Sequence, residues 1–231
     1  MFTLNSQRPA AKTLRVLSAV LGYPDAGMRS HLPEMRELLR SERVLSPSRL
    51  AELDALVDML WRADPLEAEA DYVDLFDRGR GTSLHLFEHV HGDSRERGPA
   101  MIDLGQTYEK AGLVLAEGEL PDYLPAVLEF VSTQPVREAR AFLGEMAHIL
   151  NAIFGALQHR ESPYASVLGA LLELAGEKAQ PVKPPADEAL DESWAEPPAF
   201  DGCSSKGQAR PGQPQPIQIV RKSNSTQGAS S

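Results

Sequence analysis

Residues His85 to His89 read H-x-x-E-H inside the stretch GTSLHLFEHVHG, which holds three of the chain's six histidines. The pattern is the inverzincin zinc-protease signature. Histidines four apart on a helix share a face and can both ligate zinc, and the glutamate between them can act as base. Projected at about 100° per residue, a helix over 83–91 turns Leu84, Leu86, Phe87 and Val90 to one side and His85, Glu88 and His89 to the other. Two histidines are not a complete site, and the one tempting downstream carboxylate, Glu161, stands at a helix start with no motif around it. Two readings follow. One is a small zinc-dependent hydrolase using His85, Glu88 and His89; the other, favoured, is a helix face that meets water or a partner, with no catalytic residue and no metal ligand.

Other chemistries have less to stand on. There is no Gly-rich loop followed by Lys and Ser or Thr, no dinucleotide fingerprint after a strand and no nucleophile elbow. The run RGRGTS at 78–83 puts Arg78 and Arg80 ahead of a helix start at Thr82, which would suit a regulatory protein that binds a nucleotide. The simpler reading is a helix stop followed by a Thr82 or Ser83 cap. The single cysteine, Cys203, excludes an internal disulfide and a Cys-rich metal cluster within one chain, and points to a reducing compartment. A net charge of −10 over 231 residues argues against a nucleic-acid binder. No run of apolar residues reaches the ~18 needed to cross a bilayer, so the expectation is a cytoplasmic protein without direct membrane insertion.

The elements that must position these residues are helical. In SPSRLAELDALVDMLWRAD, Leu50, Leu53, Leu56, Val57, Leu60 and Trp61 recur at steps of three and four behind a Ser46–Pro47 cap and first turn, predicting one buried face. Asp64, Pro65 and Glu67 open the next helix with the residues of a capping box. The segment 99–118 places Met101, Leu104, Tyr108, Ala111 and Leu115 on one side. The strongest periodicity runs from Phe142 through Met146, Ile149, Ile153 and Leu157, predicting one central helix of about six turns. With the segments near Leu14–Leu21, Met28–Leu39 and Ser162–Gly176, the chain reads as all-α, seven to nine helices in one compact domain over 1–179. From 180 to 231 the chain holds eight of the eighteen prolines and only two aromatics, Trp194 and Phe200, which predicts a disordered tail. PIQIV at 216–220 is its one short apolar patch.

Taken together, YVDLFDRGRGTSLHLFEHVHGDSRERGPAMIDL, Tyr72 to Leu104, closely resembles the hallmark block of the NarJ family of nitrate reductase assembly chaperones, and ELPDYLPAVLEF, Glu119 to Phe130, resembles the family's second block. Pro99, where family members often carry Gln, suits the first turn of the helix that follows. The resemblance implies a TorD-like, all-helical, non-enzymatic chaperone. Its implied partner is the cofactor-free α subunit of respiratory nitrate reductase, held through its N-terminal segment until molybdenum cofactor and an iron–sulfur cluster are inserted and the subunit docks at the membrane. It also suggests contact with molybdenum cofactor biosynthesis proteins, with no cofactor bound stably by the chaperone itself. For such a role an amphipathic client helix would lie in a groove walled by helices 64–78 and 83–91 and the LPDYLP loop. Tyr72, Leu75, Phe76, Phe87, Tyr123 and Leu124 are the expected apolar contacts, and His85, Glu88, His89 and Asp122 the expected polar rim. For Leu75, Phe76 and Phe87 a place in the core is the competing expectation.

Overall fold

The computed structural model describes residues 10–92 and 94–180, and the proposed tail with its PIQIV patch lies outside them. Eleven α-helices follow in order: α1 (Ala11–Leu21), α2 (Ala26–Ser30), α3 (Leu32–Glu42), α4 (Pro47–Arg62), α5 (Pro65–Phe76), α6 (Leu86–Val90), α7 (Arg97–Lys110), α8 (Leu124–Thr133), α9 (Val136–Glu145), α10 (Ala147–His159) and α11 (Ala165–Ala175). A 3-10 turn at Arg80–Thr82 precedes α6. The all-α expectation holds, with more and shorter helices than the seven to nine predicted. Among the described residues no strand forms, and the only β pairing is an isolated antiparallel bridge between His85 and Tyr123.

The centre of the body is α11. Every residue from Ala165 to Leu172 is buried, a helix apolar on all sides, and α10, α9, α4 and α1 pack around it. The expected single long helix over 136–159 is instead two, α9 and α10, parted at Met146. Both halves keep the predicted stripe, with Leu143, Leu150, Ile153 and Leu157 buried, and both lean on α11. Periodicity located the stripe correctly but carries no mark of the break. α11 ends at Gly176 (φ 82°), whose N–H bonds Glu173 O while Glu177 N–H bonds Leu172 O, a Schellman closure that a left-handed glycine permits.

Caps tie distant elements to this core. Ser46 caps α4 as expected, and Glu173 of α11 accepts from both its N–H (2.6 Å) and its hydroxyl (3.0 Å). Glu42 at the end of α3 accepts from the Lys12 and Thr13 amides and so caps α1 from a distance of 30 residues. Asp64 caps α5 through the Leu66 and Glu67 amides. In α4, Leu53, Leu56, Val57 and Leu60 are buried as predicted, but Trp61 is 55% exposed. The larger departure is α7, where only Tyr108 is buried; Met101, Leu104 and Leu115 are half-buried and Ala111 is exposed.

Two glycines test this picture in opposite directions. A Cβ at Gly169 would collide with the Arg49 guanidinium, which pairs with Glu52 and Glu173, whereas nothing lies within 4 Å of the position at Gly105. In urea denaturation Gly105→Ala is expected to gain ~0.5–1 kcal/mol by helix propensity, a gain that Gly169→Ala should not show, because the Arg49 side chain has to swing out of its pairs with Glu52 and Glu173.

Candidate functional site

The site forms where the loop before α6 meets the loop before α8. Leu86 N–H donates to Asp122 O (3.0 Å) and Leu124 N–H to Leu84 O (2.8 Å), so His85 and Tyr123 face each other across a two-residue ladder. Their rings pack at 5.3 Å with a 35° tilt. This pairing corrects the helix expected over 83–91. His85 is extended (φ −86°, ψ 104°) and α6 starts only at Leu86, because the backbone at 84–86 is spent on the partner loop rather than on a helical turn.

Asp122 organises the junction. Its side chain is fully buried, and Oδ2 accepts from the Phe87 N–H (3.0 Å), capping the first turn of α6 from 35 residues away. His85 Nδ1 stands 3.5 Å from Asp122 Oδ1, and Arg97 Nη2 lies 4.0 Å from Oδ2 and 3.5 Å from Glu88 Oε1. The His85–Asp122 separation is that of an ion pair longer than a hydrogen bond; His85 Nδ1 and Asp122 Oδ1 have no closer partner. The Asp122 carboxylate beside it raises the His85 pKa, against burial, which lowers it.

The face expected to hold His85, Glu88 and His89 together is divided among three partners. His85 turns to Asp122, Glu88 to Arg97, and His89 Nε2 to the Ser83 carbonyl (2.9 Å). With His85 outside the helix, the ligation geometry that motivated a zinc hydrolase is not realised. Among the described residues no group of three or more His, Cys, Asp or Glu is placed to hold a metal ion. Around RGRGTS, Arg78 pairs with Asp74, and the Thr82 hydroxyl donates back to Leu75 O at the end of α5. The helix cap expected of Thr82 or Ser83 does not form: α6 begins only at Leu86, and Ser83 Oγ accepts from the His85 N–H (3.2 Å) in the turn before it.

Beneath the ladder lies an aromatic cluster. Tyr72 donates to Leu21 O (2.7 Å), touches Tyr123 Oη (3.2 Å) and packs on Phe76 (4.8 Å), which meets Tyr164 edge-on (5.1 Å). Burial raises the pKa of Tyr72 and Tyr164, so both phenols stay neutral. Of the ten expected contact residues, Tyr72, Leu75, Phe76, Leu124 and Asp122 are buried, and His85, Phe87, Glu88, His89 and Tyr123 are half-buried at the surface. The structure thus brings all ten to one neighbourhood as a supporting layer and an outer layer. Asp122 is an internal anchor here, not a rim residue. Sequence reading missed Arg97, whose link to Glu88 and Asp122 spans 9 and 25 positions and leaves no periodic trace. It also missed the docking of Tyr108, whose hydroxyl donates to Pro121 O (2.7 Å) and whose ring packs on Phe130 (4.9 Å).

Comparison with known proteins places this neighbourhood inside a described family. The family model for the nitrate reductase delta subunit matches residues 42–169. The nitrate reductase molybdenum cofactor assembly chaperone NarJ of Escherichia coli K12 is 42% identical over 200 residues, covering 85% of this chain and 84% of its own. The probable chaperone of the same description from Bacillus subtilis is 31% identical over 163 residues, covering 69% and 86%. A redox enzyme maturation protein from Archaeoglobus fulgidus, 20% identical, shares the fold with a TM-score of 0.50 over 72% of this chain and 94% of its own.

The electrostatics of the junction give a signed expectation. A histidine whose folded pKa exceeds its unfolded value stabilises fully below the unfolded pKa and loses that contribution as pH rises through the folded one, a window that here begins above 6.5. Urea denaturation between pH 6 and 8 should show wild-type stability falling with pH and a flatter profile in His85→Gln. Asp122→Ala, which strands the Phe87 amide and His85, should cost ~1–3 kcal/mol at either pH.

Proposed function

The chain belongs to the nitrate reductase delta subunit family, and on that premise we propose that it is a non-enzymatic assembly chaperone that holds the cofactor-free α subunit of a respiratory nitrate reductase. The observation that carries the reading is the family match over residues 42–169, which contains the whole His85–Asp122 junction and helices α5 to α8. Molybdenum cofactor is cargo in this reading: it passes, with an iron–sulfur cluster, into the client before the client docks at the membrane, and has no resident site in the chaperone. Molybdenum cofactor biosynthesis proteins are the expected donors. The chaperone acts in the cytoplasm, in keeping with the absence, among the described residues, of any helix long and apolar enough to cross a membrane.

Client contact falls to the outer layer. Phe87 and Tyr123 offer apolar surface, and His85, Glu88 and His89 polar ends, to an amphipathic helix such as the client's N-terminal segment. Tyr72, Leu75, Phe76 and Leu124 hold that layer in place from the core, and Asp122 fixes its backbone. Direct contact by the four core side chains requires the packing between α5 and the ladder to open.

A tagged chain is expected to retain the α subunit from cells blocked in molybdenum cofactor synthesis and to release it when synthesis is restored. Failure to retain the subunit in either state overturns the reading. Calorimetry with the client's N-terminal peptide is expected to show affinity that differs about tenfold, ~1.4 kcal/mol, between pH 6 and 8. The double variant His85→Ala, His89→Ala should lose that dependence.

A further inference from the structure

The first turn of α1 forms one wall of an open groove of about 180 Å³. Ala10, Ala11 and Leu14 line it from α1, Val131 from the end of α8, and Val136, Ala139 and Leu143 present one face of α9 at steps of three and four. No carboxylate lines the groove, and its polar members are engaged: Ser132 Oγ accepts from Arg15 Nε (3.2 Å), Gln134 Nε2 donates to Thr133 Oγ1 (2.8 Å) and Arg140 Nε donates to Ala175 O (3.1 Å). Such a lining asks for apolar atoms, and the volume is below the ~300 Å³ at which small-molecule sites begin. It is room for side chains.

The chain supplies such side chains at the rim itself. The segment MFTLNSQRP precedes Ala10 and lies outside the described residues. Arg8 stands before a proline, which disfavours a helical backbone there and favours an extended approach to α1. In an extended segment alternate side chains share a face, which groups Phe2 with Leu4. Leu4 has a reach of up to ~20 Å from Ala10. We propose that the groove is the seat of the chain's own N-terminal segment, which lays Phe2 and Leu4 between α1 and α9 and straps the start of α1 to the corner where α8 meets α9. A competing apolar stretch, PIQIV at 216–220, is separated from the described body by residues 181–215, and the body ends at Gln180, whose N–H bonds Asn151 of α10, a residue that does not line the groove. The local concentration of a tethered segment falls with tether length, which favours the short N-terminal tether. The strap covers apolar surface that would otherwise promote self-association. No residue of the groove belongs to the His85–Asp122 junction, and the inference holds whatever the client.

The test uses the full chain carrying Cys203→Ser, so that only introduced thiols react. With glutathione disulfide as oxidant, Leu4→Cys combined with Val136→Cys should close an intramolecular disulfide at least tenfold faster than Leu4→Cys combined with Glu138→Cys, an exposed α9 position about 200° around the helix from the groove. Non-reducing electrophoresis separates the looped monomer, and circular dichroism checks that each variant keeps its helix content. Equal rates at 136 and 138 would describe a segment with no seat and overturn the inference. A cross-linked dimer as the main product would make the occupant a second copy, and faster closure from Ile217→Cys than from Leu4→Cys onto Val136→Cys would make it the tail; either result overturns it. In a chain with no cysteine at the groove, Phe2→Ser with Leu4→Ser should raise the fluorescence of the apolar dye anilinonaphthalene sulfonate at least twofold by uncovering the groove, whereas Asn5→Ser with Gln7→Ser should not. No rise in the first pair, or an equal rise in both, also overturns the inference.

Discussion

A carboxylate with no access to water has to be met by hydrogen bonds and by groups of opposite charge, because burying it without partners is costly. Asp122 is such a group, and most of what distinguishes this protein from a generic helical bundle follows from how it is held. One oxygen takes the Phe87 amide; His85 and Arg97 approach from the surface side. To bring them there, the backbone at 84–86 must pair with 122–124, and that pairing fixes where α6 and α8 begin. The ladder in turn seats Tyr123 over Tyr72 and closes the aromatic cluster against α11 through Tyr164. One buried charge thus sets the register of two loops, the start of two helices and the protonation preference of a surface histidine.

How far the fold could be read from sequence depends on what kind of information each element carries. Ser46–Pro47 and Asp64–Pro65 announce helix starts through local chemistry, and both stand as caps. Periodicity found the buried stripes of α4, α9 and α10, because burying one face is a property of the segment itself. It did not reveal that α11 is central. The short run ASVLGALLELA looks like any apolar helix, and only the tertiary structure shows α10, α9, α4 and α1 packed around it. It also misjudged Trp61, an apolar residue at helical spacing that points to solvent. Spacing tells which residues share a face; it cannot tell how many faces the rest of the chain will cover.

The site was legible as a neighbourhood and illegible as a geometry. The resemblance of the blocks at 72–104 and 119–130 brought together residues that the structure does place side by side. The H-x-x-E-H pattern misled because it assumes that all five residues are helical, and His85 is not. What removed it from the helix is the non-local pairing of 84–86 with 122–124, an interaction with no periodic signature. The placement of Asp122 inverted for the same reason: a charged residue in a Pro-flanked loop reads as surface, and its capping of α6 together with the approach of His85 and Arg97 makes burial tolerable.

The same junction also anchors the least buried part of the body. From His91 to Pro121 the only buried residue among those described is Tyr108, held by Pro121 O and the Phe130 ring. At the other end of this excursion Arg97 reaches Glu88 and Asp122. Gly92, Gly112 and Gly118 adopt positive φ along it, conformations that glycine enters at little cost. A segment with one buried side chain contributes little to its own local stability and opens at lower free energy than the α11 core. Its two attachments, however, end on the loop that carries Asp122. Displacing α7 would therefore withdraw a positive charge from the buried carboxylate. Arg97 is thus the residue that links the start of α7 both to Glu88 of α6 and to the buried carboxylate.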